Sequence, residues 1–167
     1  MDVSTVQDDA THMNIALFYG SLTGNTMLIS EQLSTHLQSK GHHVTMEDQS
    51  LVDIINLKNF DLVIFGASTW GEGDANPTTE SFLVTLNDPL TNLGGVQYAI
   101  FGLGDRSYEH FCGVVDKLEQ TLQTKKAHQV FPSLRLEGFP DESMQECIEK
   151  WIGNVLEKCL PQPEATV

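Results

Sequence analysis

A chain of 167 residues with 40% apolar side chains is long enough to bury one hydrophobic core, so we expect a single domain. It carries 23 acidic and 9 basic residues, a formal net charge of −14, which argues against a nucleic-acid partner. No segment approaches the roughly 20 consecutive apolar residues that cross a bilayer, so we expect a cytoplasmic protein that binds no membrane.

The ends of the chain and its cysteines set the limits of the predicted domain. The polar, acidic segment 1–12 has no periodic apolar pattern and no export signal, so we expect a disordered tail there. The folded domain is predicted over 13–160, followed by a second tail over 161–167. Three cysteines lie too far apart in sequence for a redox pair or a zinc site, and we expect packed thiols: Cys112, Cys147 and Cys159.

Apolar runs and helical patterns alternate along the chain. The predicted elements are, in order, a strand over Asn14–Tyr19, a helix over Thr26–Lys40 that stops at Gly41, an edge strand over His43–Glu47, a buried strand over Asp61–Ala67, a short helix over Thr78–Leu86, a buried strand over Val96–Leu103, a helix over Phe111–Thr124, a strand over Gln129–Leu136 and a long helix over Asp141–Cys159. Pro132 favours a sheet edge for the last strand, because a missing N–H donor is tolerated there. The alternation predicts an α/β fold, a three-layer sandwich with a five-stranded parallel sheet between helices.

Three of the predicted strands end in loops at one edge of such a sheet, which is where ligands bind. The first loop, Gly20 to Thr26, contains two glycines and three hydroxyl side chains before a helix start, a pattern typical of anion binding. It lacks both the lysine of a nucleoside triphosphatase loop and the GxGxxG of a dinucleotide site. No Lys or Arg occurs in 1–39, so the loop predicts neutral donors for a monophosphate. An ordinary capped helix after a turn is the alternative.

The second and third loops each place an aromatic side chain after a buried strand. Trp70 lies in the loop Ser68 to Pro77, and Tyr108 lies in the loop Gly102 to Cys112. Because aromatic rings stack on other π-systems, this pair favours a slot for a flat ring. The alternatives are that Trp70 fills a hydrophobic gap and that Tyr108 packs against the following helix.

Together the three loops resemble the flavodoxin family, through SLTGNT at Ser21–Thr26, STWG at Ser68–Gly71 and GDRSYEHFC at Gly104–Cys112. The resemblance runs from about Asn14 to Leu160. It is to the short-chain type, because the last strand lacks the inserted loop of the long-chain forms. It implies the strand order 2-1-3-4-5, one non-covalently bound FMN and a low-potential one-electron carrier instead of an enzyme.

The resemblance also implies a role for each loop. Ser21 through Thr26 would hold the FMN phosphate, and Trp70 and Tyr108 would flank the isoalloxazine ring. Main-chain groups of the second and third loops would meet the polar edge of the ring. The predicted cofactor-binding residues are Ser21, Leu22, Thr23, Gly24, Asn25, Thr26, Ser68, Thr69, Trp70, Gly71, Glu72, Gly102, Gly104, Asp105, Tyr108, Phe111 and Cys112. No catalytic or metal-binding residue is predicted.

The partners implied by the resemblance are a flavoprotein reductase as donor and a haem monooxygenase or other redox enzyme as acceptor. Both would meet the acidic chain through basic surfaces, and we expect a monomeric carrier. The stretch Gly71–Phe82 also resembles the FMN domains of diflavin reductases, and Arg106 places a positive charge beside the predicted flavin loop. An FMN-dependent quinone reductase of the same fold is the alternative function, although no insertion that could line a substrate site is present.

Overall fold

The computed structural model describes residues 12–20, 24–70, 74–75, 77–104, 112–137 and 141–159, with the main chain alone at 69–70 and 74–75. The two predicted tails lie outside these ranges, apart from His12. In the described part of the chain, no helix is long and apolar enough to cross a membrane.

The described strands form one sheet. They are β1 (Asn14–Gly20), β2 (His43–Asp48), β3 (Leu62–Trp70), β4 (Asp74–Ala75), β5 (Gln97–Gly104), β6 (His128–Gln129) and β7 (Leu134–Glu137). The sheet order is β2-β1-β3-β5-β6, with β7 also parallel to β5 and β4 antiparallel to β3. Because β6 and β7 share the position beside β5, the parallel sheet has five strand positions in the order 2-1-3-4-5. The predicted fold class is confirmed.

Helices cover both faces of the sheet, and each face has its own apolar core. The helices are α1 (Asn25–Ser39), α2 (Pro77–Leu86), α3 (Gly113–Thr124) and α4 (Glu142–Lys158). Leu83 of α2 and Leu118 of α3 belong to one core, whereas Leu33 of α1 and Ile148 of α4 belong to the other. Two short 3-10 helices, Gln49–Leu51 and Ile54–Asn59, connect β2 to β3 and were not predicted.

The end of α1 follows the sequence prediction. Gly41 has φ +92°, a left-handed conformation that glycine adopts without a steric penalty. Its N–H donates to the carbonyl of Gln38 at 3.0 Å, which satisfies one of the last carbonyls of the helix.

The continuous strand predicted over Gln129–Leu136 is wrong, because the strand is interrupted between β6 and β7. The Gln129 side chain turns back into the gap, where its Nε2 donates to Phe131 O at 3.1 Å and to Ser133 Oγ at 3.2 Å. Pro132 has no N–H to donate, and its carbonyl accepts from Trp151 Nε1 at 2.9 Å. Side chains thus replace the missing ladder bonds, and the predicted edge position of Pro132 is confirmed.

The second predicted loop is shorter than expected. β3 was predicted to end at Ala67, but it continues to Trp70. The extension is stabilised by antiparallel pairing with β4, in which Thr69 lies opposite Ala75 and Trp70 lies opposite Asp74. The helix predicted from Phe111 begins at Gly113.

Two of the three cysteines are packed thiols, as predicted. Cys112 and Cys159 are buried. Burial, together with the nearby charge of Asp61, raises the pKa of Cys159 to about 11. The prediction is wrong for Cys147, which is exposed on α4 because the core-facing positions of that helix are its neighbours such as Ile148.

Candidate functional site

The carboxyl ends of β1, β3 and β5 meet at one edge of the sheet. Gly20 of β1 pairs with Ala67 of β3, and Ala67 pairs with Gly102 of β5. Ser68 pairs with Leu103 one residue further on. β3 continues three residues beyond this level and β5 two residues, and the segments that follow all three strands leave the same edge of the sheet.

The first of these segments leads into the N-terminus of α1. Gly24 is the N-cap residue and has φ +88°, so a side chain at this position would be strained. As the N-cap residue, Gly24 provides no side-chain cap, and the described first turn of α1 contains no acidic residue. By contrast, the carboxylate of Asp141 caps α4 by accepting from Met144 N at 2.8 Å. The start of α1 thus has the positive end of a helix dipole without a carboxylate to meet it.

Thr26 lies in this first turn and is completely buried. Its Oγ1 has no hydrogen-bond partner in the described part of the structure. The hydroxyl of Ser30, one turn later, donates to the Thr26 carbonyl at 2.8 Å. A buried polar group without a partner costs about 1–3 kcal/mol, so a ligand that accepts from Thr26 Oγ1 recovers that energy. The uncapped helix and the unpartnered hydroxyl fit a phosphate group.

The third segment begins at Gly104, and Cys112 follows it as the N-cap of α3. Cys112 has φ +53°, and its Sγ points into the core toward the Leu136 carbonyl at 3.8 Å. The side chain is thus directed into the core, and the predicted role of Cys112 in cofactor binding depends on its main chain. Gly102 packs closely against α3, since a Cβ at this position would lie 2.3 Å from Cγ2 of Val115. Besides its strand pairing, the described contact of Gly102 is with this helix.

The structure places part of the predicted site. It brings together Gly24, Asn25 and Thr26 at the start of α1, the main chain of 68–70 at the end of β3, and Gly102 and Gly104 at the end of β5. The remaining predicted residues lie outside the described ranges: Ser21, Leu22, Thr23, Gly71, Glu72, Asp105, Tyr108 and Phe111. The same holds for Arg106.

The charged side chains that the structure describes at this edge of the sheet are mostly negative. Asp48 ends β2, and Glu137, which pairs with Gly104, ends β7. The nearby cation Arg135 is paired with acids, since its Nη2 lies 2.5 Å from Asp116 Oδ1 and 3.3 Å from Glu119 Oε1. Burial lowers the pKa of Arg135, but hydrogen bonds and charge from these two carboxylates outweigh it and raise the pKa.

Sequence reasoning missed two buried polar residues beneath the site, Gln49 and Thr79. Gln49 Nε2 donates to Phe18 O at 3.2 Å and to Gly66 O at 3.0 Å. Thr79 Oγ1 donates to Gln49 Oε1 at 2.6 Å. No motif marks these residues, because each contact joins parts of the chain 17 to 31 residues apart.

Comparison with known proteins decides the family. The family model described as flavodoxin matches residues 17–151, most of the chain. The chain belongs to the flavodoxin family. A flavodoxin of Nitratidesulfovibrio vulgaris is 35% identical over 144 residues, which cover 86% of this chain and 97% of that protein. The structure of flavodoxin 2 from Bacillus cereus is 32% identical with a TM-score of 0.79, covering 87% of this chain and 99% of that one.

Similarity also extends to diflavin reductases, as the sequence predicted. The NADPH–cytochrome P450 reductase of Cavia porcellus is 33% identical over 150 residues, which cover 84% of this chain but 21% of the reductase. The chain therefore corresponds to about a fifth of that enzyme.

Family membership fixes the cofactor and the class of activity. Flavodoxins bind FMN and transfer electrons, and they are not enzymes. FMN is accordingly the cofactor of this chain, and the electron-carrier interpretation is confirmed over the quinone reductase alternative. The unpartnered hydroxyl of Thr26 is an observation on this chain's own residues that agrees with a phosphorylated cofactor.

Proposed function

We propose that this flavodoxin holds the FMN phosphate at the N-terminus of α1 and carries single electrons at low potential between a flavoprotein reductase and an acceptor. The observation that carries the proposal is the buried Oγ1 of Thr26 in the first turn of α1, which has no hydrogen-bond partner among the described residues. FMN supplies the redox chemistry when bound, and the residues of the chain bind it, orient it and set its electrostatic surroundings.

The phosphate end of the site depends on neutral donors. Thr26 Oγ1 donates to a phosphate oxygen, and the first main-chain N–H groups of α1 add further donors. Ser21 and Thr23 contribute hydroxyls from the same loop, as the family resemblance implies. No Lys or Arg occurs in 1–39, so the phosphate keeps its negative charge beside the flavin.

The ring end of the site lies between the segments that follow β3 and β5. Trp70 and Tyr108 would flank the isoalloxazine ring, and the main chain of Gly71, Glu72, Asp105 and Cys112 would meet its polar edge. Support comes from the strand register, which pairs Ser68 with Leu103, so that both segments leave neighbouring strands at the same edge of the sheet.

The low potential follows from the surrounding negative charge. A carboxylate about 10 Å from the ring, at an effective dielectric constant near 20, disfavours an added negative charge by roughly 1.7 kcal/mol. For one electron this equals about 70 mV. Asp48 and Glu137 end strands at this edge, and Arg135 is already paired with two carboxylates. Reduction to an anionic flavin is therefore disfavoured.

The same charge defines the class of partner. With a net charge of −14, the chain attracts proteins whose docking surfaces are basic, and such attraction raises association rates. We propose a flavoprotein reductase as the donor and a haem monooxygenase or similar redox enzyme as the acceptor. The likeness to P450 reductases supports a haem-protein acceptor, although this chain matches only a fifth of their length.

The variant Thr26→Val tests the phosphate site, because it replaces the hydroxyl with a methyl group of similar size. We expect the Kd for FMN to rise by about 10- to 100-fold, since a hydrogen bond to a charged group contributes about 1.5–3 kcal/mol. We expect the affinity for riboflavin, which has no phosphate, to stay unchanged. The apoprotein should be equally or more stable, because an unpartnered buried hydroxyl is removed.

Fluorescence titration of the apoprotein with FMN and with riboflavin measures both affinities. Thr35→Val, at an exposed position of the same helix, is the matched control and should bind both ligands like the wild type. Equal weakening of FMN and riboflavin, or wild-type FMN affinity in Thr26→Val, would contradict a phosphate at this position.

A further inference from the structure

Gln49 lies beneath the predicted cofactor site with its side-chain amide fully engaged. It is 1% exposed, in the 3-10 helix that follows β2. Both N–H donors of its amide are used, one on the carbonyl of Phe18 and one on the carbonyl of Gly66. Its carbonyl accepts from the hydroxyl of Thr79, which is also completely buried. The two main-chain acceptors fix the orientation of the amide, because only its nitrogen can donate to them.

The three partners of Gln49 belong to the elements that carry the cofactor loops. Phe18 lies two residues before the end of β1 at Gly20, where the phosphate loop begins. Gly66 lies two residues before Ser68 in β3, and Thr79 lies in the first turn of α2. One side chain therefore joins the strand before the phosphate loop to both elements that flank the segment 71–76.

We propose that Gln49 is a positioning residue for the FMN site, which holds β1, β3 and α2, the elements next to the cofactor loops, in place relative to one another through Phe18, Gly66 and Thr79. The inference rests on the proposed placement of FMN. Buried hydrogen bonds of this kind hold a site rigid because each partner loses a satisfied bond when the amide moves. Gln49 is buried and its amide is fully engaged, so it acts through the elements it joins.

If Gln49 only stabilised the fold, its replacement would lower the unfolding free energy without changing FMN affinity or potentials. The chain contains a matched control for this possibility. Gln97 is a second buried glutamine, 6% exposed, whose Nε2 donates to the Asp61 carbonyl at 3.1 Å. It lies at the start of β5, the end of that strand opposite Gly104. Replacement of either glutamine by leucine removes buried hydrogen bonds. Only those of Gln49 join the elements next to the cofactor loops, whereas those of Gln97 lie at the opposite edge of the sheet.

The test compares Gln49→Leu and Gln97→Leu by urea unfolding, FMN and riboflavin titration, and potentiometry of the FMN-loaded protein. Both variants should lose stability. For Gln49→Leu we expect the Kd values for FMN and for riboflavin to rise by a similar factor, about tenfold, because β3 and α2 are no longer held in the orientation that places the ring-binding groups. The separation between the two one-electron midpoint potentials should narrow. Gln97→Leu should keep wild-type affinities and potentials.

Thr79→Val gives a second route if Gln49→Leu fails to fold, since it removes the hydroxyl that donates to Gln49 Oε1 and leaves the N–H donors of the Gln49 amide in place. Like Gln49→Leu, Thr79→Val should narrow the separation between the two one-electron midpoint potentials. Thr79→Ser, which keeps a hydroxyl, should restore the wild-type separation. Wild-type potentials and affinities in both Thr79→Val and Gln49→Leu would overturn the positioning role. Failure of the wild-type chain to bind FMN at the predicted loops would instead overturn the proposed function, so the two failures are distinguishable.

Discussion

His42 joins the start of β1 to the turn after α1. Its Nδ1 accepts a hydrogen bond from the main-chain N–H of Met13 at 3.1 Å. Burial lowers the pKa of His42, and the charges of His12 and Lys40 lower it further. Because an accepting ring nitrogen carries no proton, the folded chain holds His42 in its neutral form.

This arrangement predicts that the chain loses stability in mild acid. The folded-state pKa of His42 lies below its unfolded value of about 6.5, so the unfolded chain takes up a proton first as the pH falls through about 6.5. The unfolding free energy, measured by urea denaturation, should therefore decrease between about pH 7.5 and about pH 5.5. His42→Asn keeps a hydrogen-bond acceptor for the Met13 N–H but has no titrating ring. Its unfolding free energy should therefore decrease less than that of the wild type over the same pH range.

The exposed neighbour His43 provides the control for this pH series. His43→Asn should show the same loss of stability between the two pH values as the wild type. Equal losses in the wild type and in His42→Asn would show that another group causes the acid sensitivity.

The contribution of Thr26 shows what could and could not be predicted for a single residue. Its place in the motif Ser21–Thr26 predicted phosphate binding, because hydroxyls before a helix start are typical of anion sites. Its complete burial and the missing partner of its Oγ1 depend on how α1 packs, which the motif does not contain. Gln49 had no motif at all, since its partners lie in β1, β3 and α2.

The packing of the sheet elements depends on glycines at close contacts. A Cβ at Gly66 of β3 would lie 2.3 Å from Cζ of Phe101 in β5. Phe101 is fully buried and packs edge-on against Trp151 at 6.3 Å between ring centres, so its ring has little room to move. Glycine at position 66 therefore lets the strands that carry two of the cofactor loops keep their register.

We expect Gly66→Ala to lower the unfolding free energy by about 1–3 kcal/mol, the usual cost of overpacking a core. Gly153→Ala is the matched control on α4. In the described part of the chain, no atom outside the helix's own backbone lies within 4 Å of a Cβ there, and alanine favours a helix over glycine, so stability should rise by about 0.5–1 kcal/mol. Urea denaturation measures both. Wild-type stability in Gly66→Ala would show that the contact with Phe101 is not limiting.

Helices with a local apolar pattern were predicted well, whereas the break between β6 and β7 and the extension of β3, which depend on specific pairing partners, were not. The apolar periodicity of Asn25–Ser39 and Glu142–Lys158 lies within each helix, so the sequence alone was sufficient. The break between β6 and β7 depends on Gln129, whose Nε2 also donates to Glu119 Oε2 of α3 at 2.9 Å. The extension of β3 depends on its pairing with β4, which follows closely in sequence but has only two residues, Asp74 and Ala75, and so no alternating apolar pattern. Neither partner is marked by a pattern that predicts it.

The net charge of the full chain acts on both the cofactor and the partners. Under the proposed function, 23 acidic against 9 basic residues are expected to disfavour an additional negative charge on the flavin and to attract basic proteins. Salt reduces both effects, because charges are screened over about 8 Å at physiological ionic strength. One property of the chain thus links the proposed low potential to the proposed class of partner.

Anaerobic potentiometric titration of the purified chain, loaded with FMN, tests the function directly. The proposed function predicts one FMN per chain and two separated one-electron steps, the second at a lower potential than the corresponding step of free FMN. A single two-electron step at the potential of free FMN, or a chain that retains no FMN, would contradict it.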